Sequence, residues 1–182
     1  MLIEETSYDA KGKPTGYKDV YEYNDKSLLI DQTQYDGKGK IVYSIKYTYN
    51  DKSELIEEKN FWGEELSISG TNKYDKGLLI EEIKYNNKGG EDIKSVYKYN
   101  NKGLLIEKIM ESIHSYYSTG KTMYAYNDND LLIEETEYDT QGALKSKKEY
   151  KYNDKDLCIE ENNVSSSATF GEVQSKVFYE YK

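Results

Sequence analysis

Apolar and polar residues alternate along most of this chain, and the alternation recurs seven times. A Leu-Ile segment followed by acidic residues returns with its isoleucine at positions 3, 30, 56, 80, 106, 133 and 159, so successive copies lie 24 to 27 residues apart. Alternation with a period of two is typical of β-strands that are buried on one face. A period this regular indicates a repeat architecture.

Each copy has the pattern of two strands joined by turns. Residues 131–138 divide into two alternating rows, and β-branched and aromatic residues are common at these places in the other copies, which favours an extended strand. The rows are Leu132, Glu134, Thr136 and Tyr138, and Leu131, Ile133, Glu135 and Glu137. Residues 139–142 supply turn chemistry, with Gly142 able to take a positive φ. A second strand follows through residues 149–152, and residues 153–156 form the next turn. The copy therefore predicts a β-hairpin that leads directly into the following one.

The fold class predicted from this pattern is all-β. Loops this short join only neighbouring antiparallel strands, so seven copies predict an up-and-down meander of about fourteen strands in one long, twisted antiparallel sheet. Apolar positions fall on both faces, which favours a curled or spiral sheet. Residues 1–182 are expected to form one β-repeat domain, and the regular copies suggest that it is a segment of a longer repeat protein.

Tyrosine accounts for much of the apolar material. Hydrophobic residues make up 36% of the chain and the mean hydropathy is -0.94, whereas tyrosines number 21. Tyrosine combines a large apolar ring with a polar tip and suits a sheet that is partly wet on both sides. Rows of equivalent tyrosines are expected along the sheet: 21 and 23, 47 and 49, 97 and 99, 124 and 126, 150 and 152, 179 and 181.

The charge of the chain restricts its partners. A net charge of -9 and a pI of about 4.8 disfavour nucleic acid and anionic lipid surfaces. No apolar run approaches the roughly 20 residues of a membrane-spanning helix, so membrane insertion is not expected. Cys158 is the single cysteine and cannot form an internal disulfide. The sequence assigns no compartment, and a removed leader would place the protein outside the cell or on its surface.

The phrase Tyr-x-Tyr-Asn-x-Lys-Gly-Leu-Leu-Ile at residues 97–106 resembles the tyrosine-aspartate (YD) repeat of the RHS family. Residues 74–78 and 138–142 match parts of the same motif. MORN-type repeats and the hairpin repeats of bacterial lipoproteins are other candidates. The RHS resemblance implies a spiralling antiparallel sheet of the kind that encloses a payload. The chain lacks the Arg that often follows the Gly, and seven copies are too few for a shell, which would belong to a longer parent protein.

Two copies depart from the repeat, and they contain the candidate contact residues. The third copy has Phe61-Trp62-Gly63 in place of a Tyr-Asp turn, and the fifth contains residues 113–117. Aromatic side chains are common anchors of interfaces, so Trp62, Tyr116 and Tyr117 could form a patch that stacks on a sugar or a partner chain. The alternative is structural: Trp62 fills a gap left by a shortened turn, and the fifth hairpin is simply longer.

No catalytic, cofactor-binding or metal-binding residue is predicted. His114 and Cys158 lie two repeats apart, about 20 Å by strand spacing, which is too far for a nucleophile and base pair. Cys158 instead takes the place of a repeat leucine and is expected to be a small apolar residue of the core. Paired glutamates recur in nearly every copy, which indicates a solvated stripe. Residues 127–130 lack the glycine and the distant glutamate of a calcium loop.

The sequence therefore favours a non-enzymatic β-repeat binding module that presents a tyrosine-rich surface to a protein or a polysaccharide. The alternative is a structural segment of a longer shell, fibre or homo-oligomer. In that case the open edge strands would pair with neighbouring chains, because an exposed strand edge is a template for further pairing.

Overall fold

The computed structural model describes residues 1–8, 11–113, 119–167 and 171–181. All regular structure in these ranges is β, which confirms the predicted fold class. The strands are β1 (Leu2–Tyr8), β2 (Pro14–Tyr23), β3 (Leu29–Tyr35), β4 (Ile41–Tyr49), β5 (Leu55–Trp62), β6 (Glu65–Asp75), β7 (Leu78–Tyr85), β8 (Glu91–Tyr99), β9 (Leu105–Ser112), β10 (Gly120–Tyr126), β11 (Leu132–Tyr138), β12 (Leu144–Tyr152), β13 (Cys158–Ser167) and β14 (Gly171–Phe178).

The order of strands in the sheet follows the order of strands in the chain, from β1 to β14, as a meander of tandem hairpins requires. The chain divides into two compact units: unit 1 comprises residues 1–93 and unit 2 comprises residues 94–182. Within unit 1 every consecutive pair from β1 to β7 is antiparallel. Within unit 2 the same holds from β9 to β14.

Most loops share one five-residue design that begins with Asn or Asp. The side-chain Oδ1 of this first residue accepts backbone N–H groups from the residues two and four places later, as Asn153 does from Lys155 and Leu157 at 2.9 and 3.1 Å. The same pair of bonds occurs at Asn24, Asp36, Asn50, Asn86, Asn100, Asn127 and Asp139. The recurring Asx residue therefore closes each loop by satisfying backbone donors.

The repeat isoleucine is the extra residue of a β-bulge in several copies. Tyr152 pairs with Cys158 while Lys151 pairs with Glu160, so Ile159 is the extra residue on its strand. The same register shift leaves Ile30, Ile56, Ile80 and Ile133 as extra residues. Bulges bend the strand and increase its local twist. The repeat isoleucine, which is the most regular feature of the sequence, therefore marks where the sheet is bulged.

The sheet has no apolar core among the described residues. No hydrophobic side chain is fully buried, and the buried residues are small and polar: Thr33, Ser44, Ser95 and Thr136. Cys158 is half-buried and its thiol is free, so it lies in the sheet and not in the core that the sequence suggested. Half-buried tyrosines and aliphatic residues supply the apolar surface of the sheet. Within the described ranges there is no helix that is long and apolar enough to cross a membrane.

Candidate functional site

The two faces of the sheet differ in chemistry within each unit. Alternation places the repeat acid on one face together with lysines from neighbouring strands, and we call this the charged face. Examples are Asp31 opposite Lys46 in unit 1 and Glu160 opposite Lys151 in unit 2. The other face contains the Tyr-x-Tyr pairs, and we call it the tyrosine face. Tyr47 and Tyr150 lie on it, opposite Glu58 and Glu161 respectively.

Ion pairs cross the charged face between adjacent strands. Lys18 lies 3.1 Å from Glu4, Lys147 lies 3.0 Å from Glu134, and both Lys151 and Lys176 lie 2.9 Å from Glu160. Hydrogen bonds from these two lysines lower the pKa of Glu160 to about 2. Each pair is a modest contribution to stability because most of the side chains are exposed.

The second tyrosine of the Tyr-x-Tyr pair has a structural role in four copies, and Tyr74, which follows Asn72 in place of a first tyrosine, has the same role. The tyrosine hydroxyl donates to the backbone carbonyl just before the repeat isoleucine of the preceding strand. The donors and acceptors are Tyr49 to Leu29, Tyr74 to Leu55, Tyr126 to Leu105, Tyr152 to Leu132 and Tyr181 to Cys158, over 2.7 to 3.1 Å. These bonds link each tyrosine ring to the backbone of the neighbouring strand. The hydroxyls are consequently already engaged within the chain.

The first tyrosine of the pair lies beside a carboxylate. Burial raises the pKa of Tyr47 above its ordinary value, and Glu58 adds to the rise. Tyr124 and Tyr150 show the same rise, with Glu135 and Glu161 as contributors after burial. The raised pKa values favour the protonated form of these hydroxyls.

Trp62 lies at the end of β5 on the tyrosine face, and its side chain is 62% exposed. The β5–β6 connection after it is a two-residue turn in which Gly63 has a φ of 61°. Glycine takes this conformation without the steric cost that a side chain brings. The indole packs against Tyr43 of β4, with ring centroids 5.1 Å apart and planes inclined by 49°. Such tilted pairs are favourable aromatic contacts.

A chain of hydrogen bonds fixes the Tyr43 ring. Its hydroxyl donates to Asn60 Oδ1 at 2.6 Å, and Asn60 Nδ2 donates to Glu58 Oε1 at 2.8 Å. Burial raises the pKa of Tyr43, and the Glu58 carboxylate adds to the rise. Trp62, Asn60 and Glu58 alternate along β5, so all three side chains belong to the tyrosine face. The exposed indole is therefore supported by an ordered polar network.

Two further polar side chains continue this arrangement across β3 and β2. Tyr43 pairs with Gln34, and Gln34 pairs with Asp19, so the three share one row of the tyrosine face with Trp62. Gln34 Nε2 donates to Asp19 Oδ1 at 3.1 Å. We call Asp19, Gln34, Tyr43 and Trp62 the Trp62 row.

Of the three contact residues predicted from the sequence, the structure describes only Trp62. Trp62 is exposed and packed against a neighbouring ring, so it is available for contact and also has a structural partner. Tyr116 and Tyr117 lie outside the described residues, as does His114. The patch formed by all three aromatic residues therefore stays a prediction.

Other chemically suggestive residues have local structural roles. Asn127, the first residue of the acidic loop at 127–130, accepts the backbone N–H groups of Asn129 and Leu131, both at 3.0 Å. In the part of the chain that the structure describes, no three His, Cys, Asp or Glu side chains are grouped so that they could hold a metal ion.

Sequence reasoning missed the partners of Trp62. Tyr43, Gln34 and Asp19 are separated from it by 19 to 43 residues, and only the strand register brings them into one row. A usable signal did exist. Trp62 stands six residues after its repeat isoleucine, where the neighbouring copies have Asp36 and Asn86. Its replacement of a loop-closing residue indicated that the hairpin itself was changed.

No protein-family model and no curated protein matches this sequence. Among solved structures, the chain is similar to part of the Tc holotoxin pore of Photorhabdus luminescens, with a TM-score of 0.52 and 14% identity over 97% of this chain. The crystal structure of TcdB2-TccC3 is a more distant likeness, with a TM-score of 0.44 and 11% identity over 98% of this chain. This chain spans 12% of the length of each of those chains.

At this level of identity, the similarity to the Tc holotoxin shows the fold alone. It agrees with the antiparallel β-repeat fold that the YD resemblance implies. Membership of the RHS family stays a prediction, because the likeness rests on strand arrangement and not on shared sequence.

Proposed function

We propose that this chain is a non-enzymatic structural module, a segment of β-repeat sheet that takes part in a larger shell, fibre or homo-oligomer through its edge strands. One observation carries the proposal: the repeated polar groups are used to hold neighbouring strands together. Tyrosine hydroxyls bond to backbone carbonyls of the preceding strand, and Asx side chains close the loops. A repeat whose characteristic residues maintain the sheet is suited to a scaffold.

The edge strands support the same proposal. In the sheet, β1 is bonded on one side to β2, and β14 on one side to β13. The described side chains of both strands are exposed, including Ile3 and Val177 at 44% and 42%. An exposed strand with apolar side chains is a template for pairing with another strand. The similarity in fold to part of the Tc holotoxin pore is consistent with a structural role.

Sedimentation velocity at several concentrations tests the proposal. Edge pairing predicts that the weight-average sedimentation coefficient rises with protein concentration.

A variant of the β1 edge sharpens the test. Met1 and Tyr23 exchange backbone hydrogen bonds, so the alternation of N–H directions along β1 points the Thr6 N–H away from β2. Thr6→Pro removes this outward donor, and assembly through β1 should weaken. Pro is tolerated on the free side of an edge strand. A protein that stays monomeric at every concentration contradicts edge-driven assembly.

A second candidate function is the binding module that the sequence favours. The observation for it is specific to the third copy: Trp62 exposes most of its indole on the tyrosine face, and the Tyr43, Asn60 and Glu58 network holds it in place. A scaffold has no need of a large exposed aromatic ring at this position. Replacing Trp62, Tyr116 and Tyr117 with alanine together should abolish binding to a protein or polysaccharide partner while the β-sheet circular dichroism stays unchanged.

A further inference from the structure

We propose that the Trp62 row is a binding site for a neutral oligosaccharide. The proposal rests on the second function, that of a binding module, and names the ligand class for it. It uses only described residues of unit 1 and does not depend on Tyr116 or Tyr117.

The row has the shape of an extended subsite. Asp19, Gln34, Tyr43 and Trp62 come from four consecutive strands, β2 to β5, and are directly opposite one another in the register. Adjacent strands are about 4.8 Å apart, so the row extends about 14 Å across the sheet. A linear chain of sugar rings laid across the strands would meet the aromatic pair first and the polar pair next.

The aromatic end offers a preorganised stacking surface. Trp62 is 62% exposed, and its contact with Tyr43 restricts the orientation of the indole. Tyr43 is in turn held by its 2.6 Å bond to Asn60. A rigid ring loses little conformational entropy on binding. The apolar C–H face of a pyranose ring can pack on such a ring, while its hydroxyl groups remain in reach of the polar neighbours.

The polar end offers donors and acceptors. Gln34 donates one amide N–H to Asp19, and an amide and a carboxylate have further capacity: a second N–H, an amide oxygen and a second carboxylate oxygen. Sugar hydroxyls both donate and accept hydrogen bonds, so they match this mixed set. A few polar groups beside an aromatic surface are typical of small-ligand sites.

Charge and size favour a neutral sugar over other occupants. Asp19 belongs to the row, and Glu65 is the register partner of Trp62. With the net charge of -9, these carboxylates disfavour anionic ligands. A stable protein partner buries about 800 Å² on each side, whereas four side chains in a single row present a much smaller surface. The row therefore fits an uncharged oligosaccharide.

Trp62 is the single tryptophan of the chain, so its fluorescence reports directly on the site. The experiment is a fluorescence titration of the whole chain with cellohexaose, chitohexaose and laminarihexaose, and with oligogalacturonate as the anionic probe. We expect a saturable change in Trp62 emission with at least one neutral hexasaccharide and none with oligogalacturonate. If no neutral probe changes the emission at millimolar concentration, or if only the anionic probe does, the proposal is overturned.

Variants then locate the binding site by isothermal titration calorimetry. Trp62→Ala should weaken binding at least about tenfold. Gln34→Ala keeps the fluorophore and should weaken binding by a smaller factor. The matched control is Phe178→Ala, which removes an aromatic ring of similar exposure, 68%, from β14. Equal affinity in wild type and Trp62→Ala overturns the site. Sedimentation tests pairing through the edge strands, whereas the titrations test the Trp62 row. The scaffold proposal and the oligosaccharide proposal can therefore fail independently of each other.

Discussion

The third copy, which begins at Ile56, and the sixth copy, which begins at Ile133, close their hairpins in two different ways. In the copy that begins at Ile133, both connections are five-residue loops, at 139–143 and 153–157, closed by Asp139 and Asn153. In the copy that begins at Ile56, both connections are two-residue turns, at 63–64 and 76–77. The shorter turns reverse the direction of the chain through backbone conformation alone.

The difference in length is small and its effect is large. The third copy spans 24 residues between isoleucines, whereas the copy from Ile133 to Ile159 spans 26. Asp139 and Trp62 occupy equivalent positions of the two copies. Asp139 closes a loop, whereas Trp62 extends β5 and pairs with Glu65. The shortening therefore exchanges a loop-closing carboxylate for an exposed indole on the tyrosine face. A change that conserves the strand pairing has altered the chemistry of the surface.

Replacing Gly120 with alanine should have the largest effect. Gly120 has a φ of 137°, and a Cβ there would collide with the Tyr138 carbonyl oxygen of β11. We expect the free energy of unfolding to fall by more than about 3 kcal/mol, measured by urea denaturation. Gly70→Ala in the third copy is the control, because its Cβ would lie 3.6 Å from the Ile83 oxygen. Equal losses in the two variants would contradict the argument.

Replacing Asn153 with alanine should rank second. The change deprives the Lys155 and Leu157 N–H groups of their acceptor, and removing comparable caps costs about 1–2 kcal/mol. Asp75→Ala is the control in the third copy, where Asp75 pairs with Leu78 at a two-residue turn. Its cost should be less than about 0.5 kcal/mol. Thermal and urea unfolding of both variants measure the difference.

Replacing Tyr152 with phenylalanine should cost about 1 kcal/mol, because the hydroxyl bond to the Leu132 carbonyl is lost. Tyr74→Phe in the third copy should cost less. There the Leu55 carbonyl also accepts a bond from Asn72 Nδ2 at 3.0 Å, so it keeps a partner. Urea denaturation of the two variants compares them, and a larger loss in Tyr74→Phe would argue against the shared acceptor.

Replacing Lys76 with asparagine should stabilise the third copy slightly. Lys76 and Gly77 have φ values of 51° and 82°, which is the pattern of a type I′ turn. Asparagine followed by glycine is strongly preferred there, because asparagine adopts the left-handed region more readily than lysine. We expect a gain of about 0.5 kcal/mol in the free energy of unfolding. A loss of stability would exclude this account of the turn.

Acid should weaken the pairing of β13 with its neighbouring strands through Glu160. Its folded-state pKa of about 2 lies below the ordinary value of 4.5, so its ion pairs stabilise the fold fully above pH 4.5 and are lost as the pH falls towards 2. Glu160→Gln should therefore lower stability at pH 6 and have little effect near pH 2. Glu57→Gln is the control in the third copy, since Glu57 pairs with Lys59 of its own strand at 2.8 Å. A pH-independent difference between wild type and Glu160→Gln would contradict the assignment.

Much of the fold followed from local pattern. The alternation in residues 131–138 predicted β11, and the Asx-rich segments predicted the loops between strands, because both signals arise from neighbouring residues. The candidate site was predicted only in part. Trp62 was found because it interrupts the repeat, whereas Gln34 and Asp19 belong to otherwise ordinary strands and become its neighbours only through the register.

The sequence by itself determined the strands, their number and their order, since short loops between extended segments leave antiparallel neighbours as the available pairing. Only the tertiary structure decided that five of the repeat isoleucines are the extra residues of bulges, and that tyrosine hydroxyls bond to carbonyls that directly precede repeat isoleucines. A bulge is a mismatch between two strands, so neither strand alone encodes it. The same reason places Trp62 beside Tyr43: cross-strand contacts depend on the register of pairing.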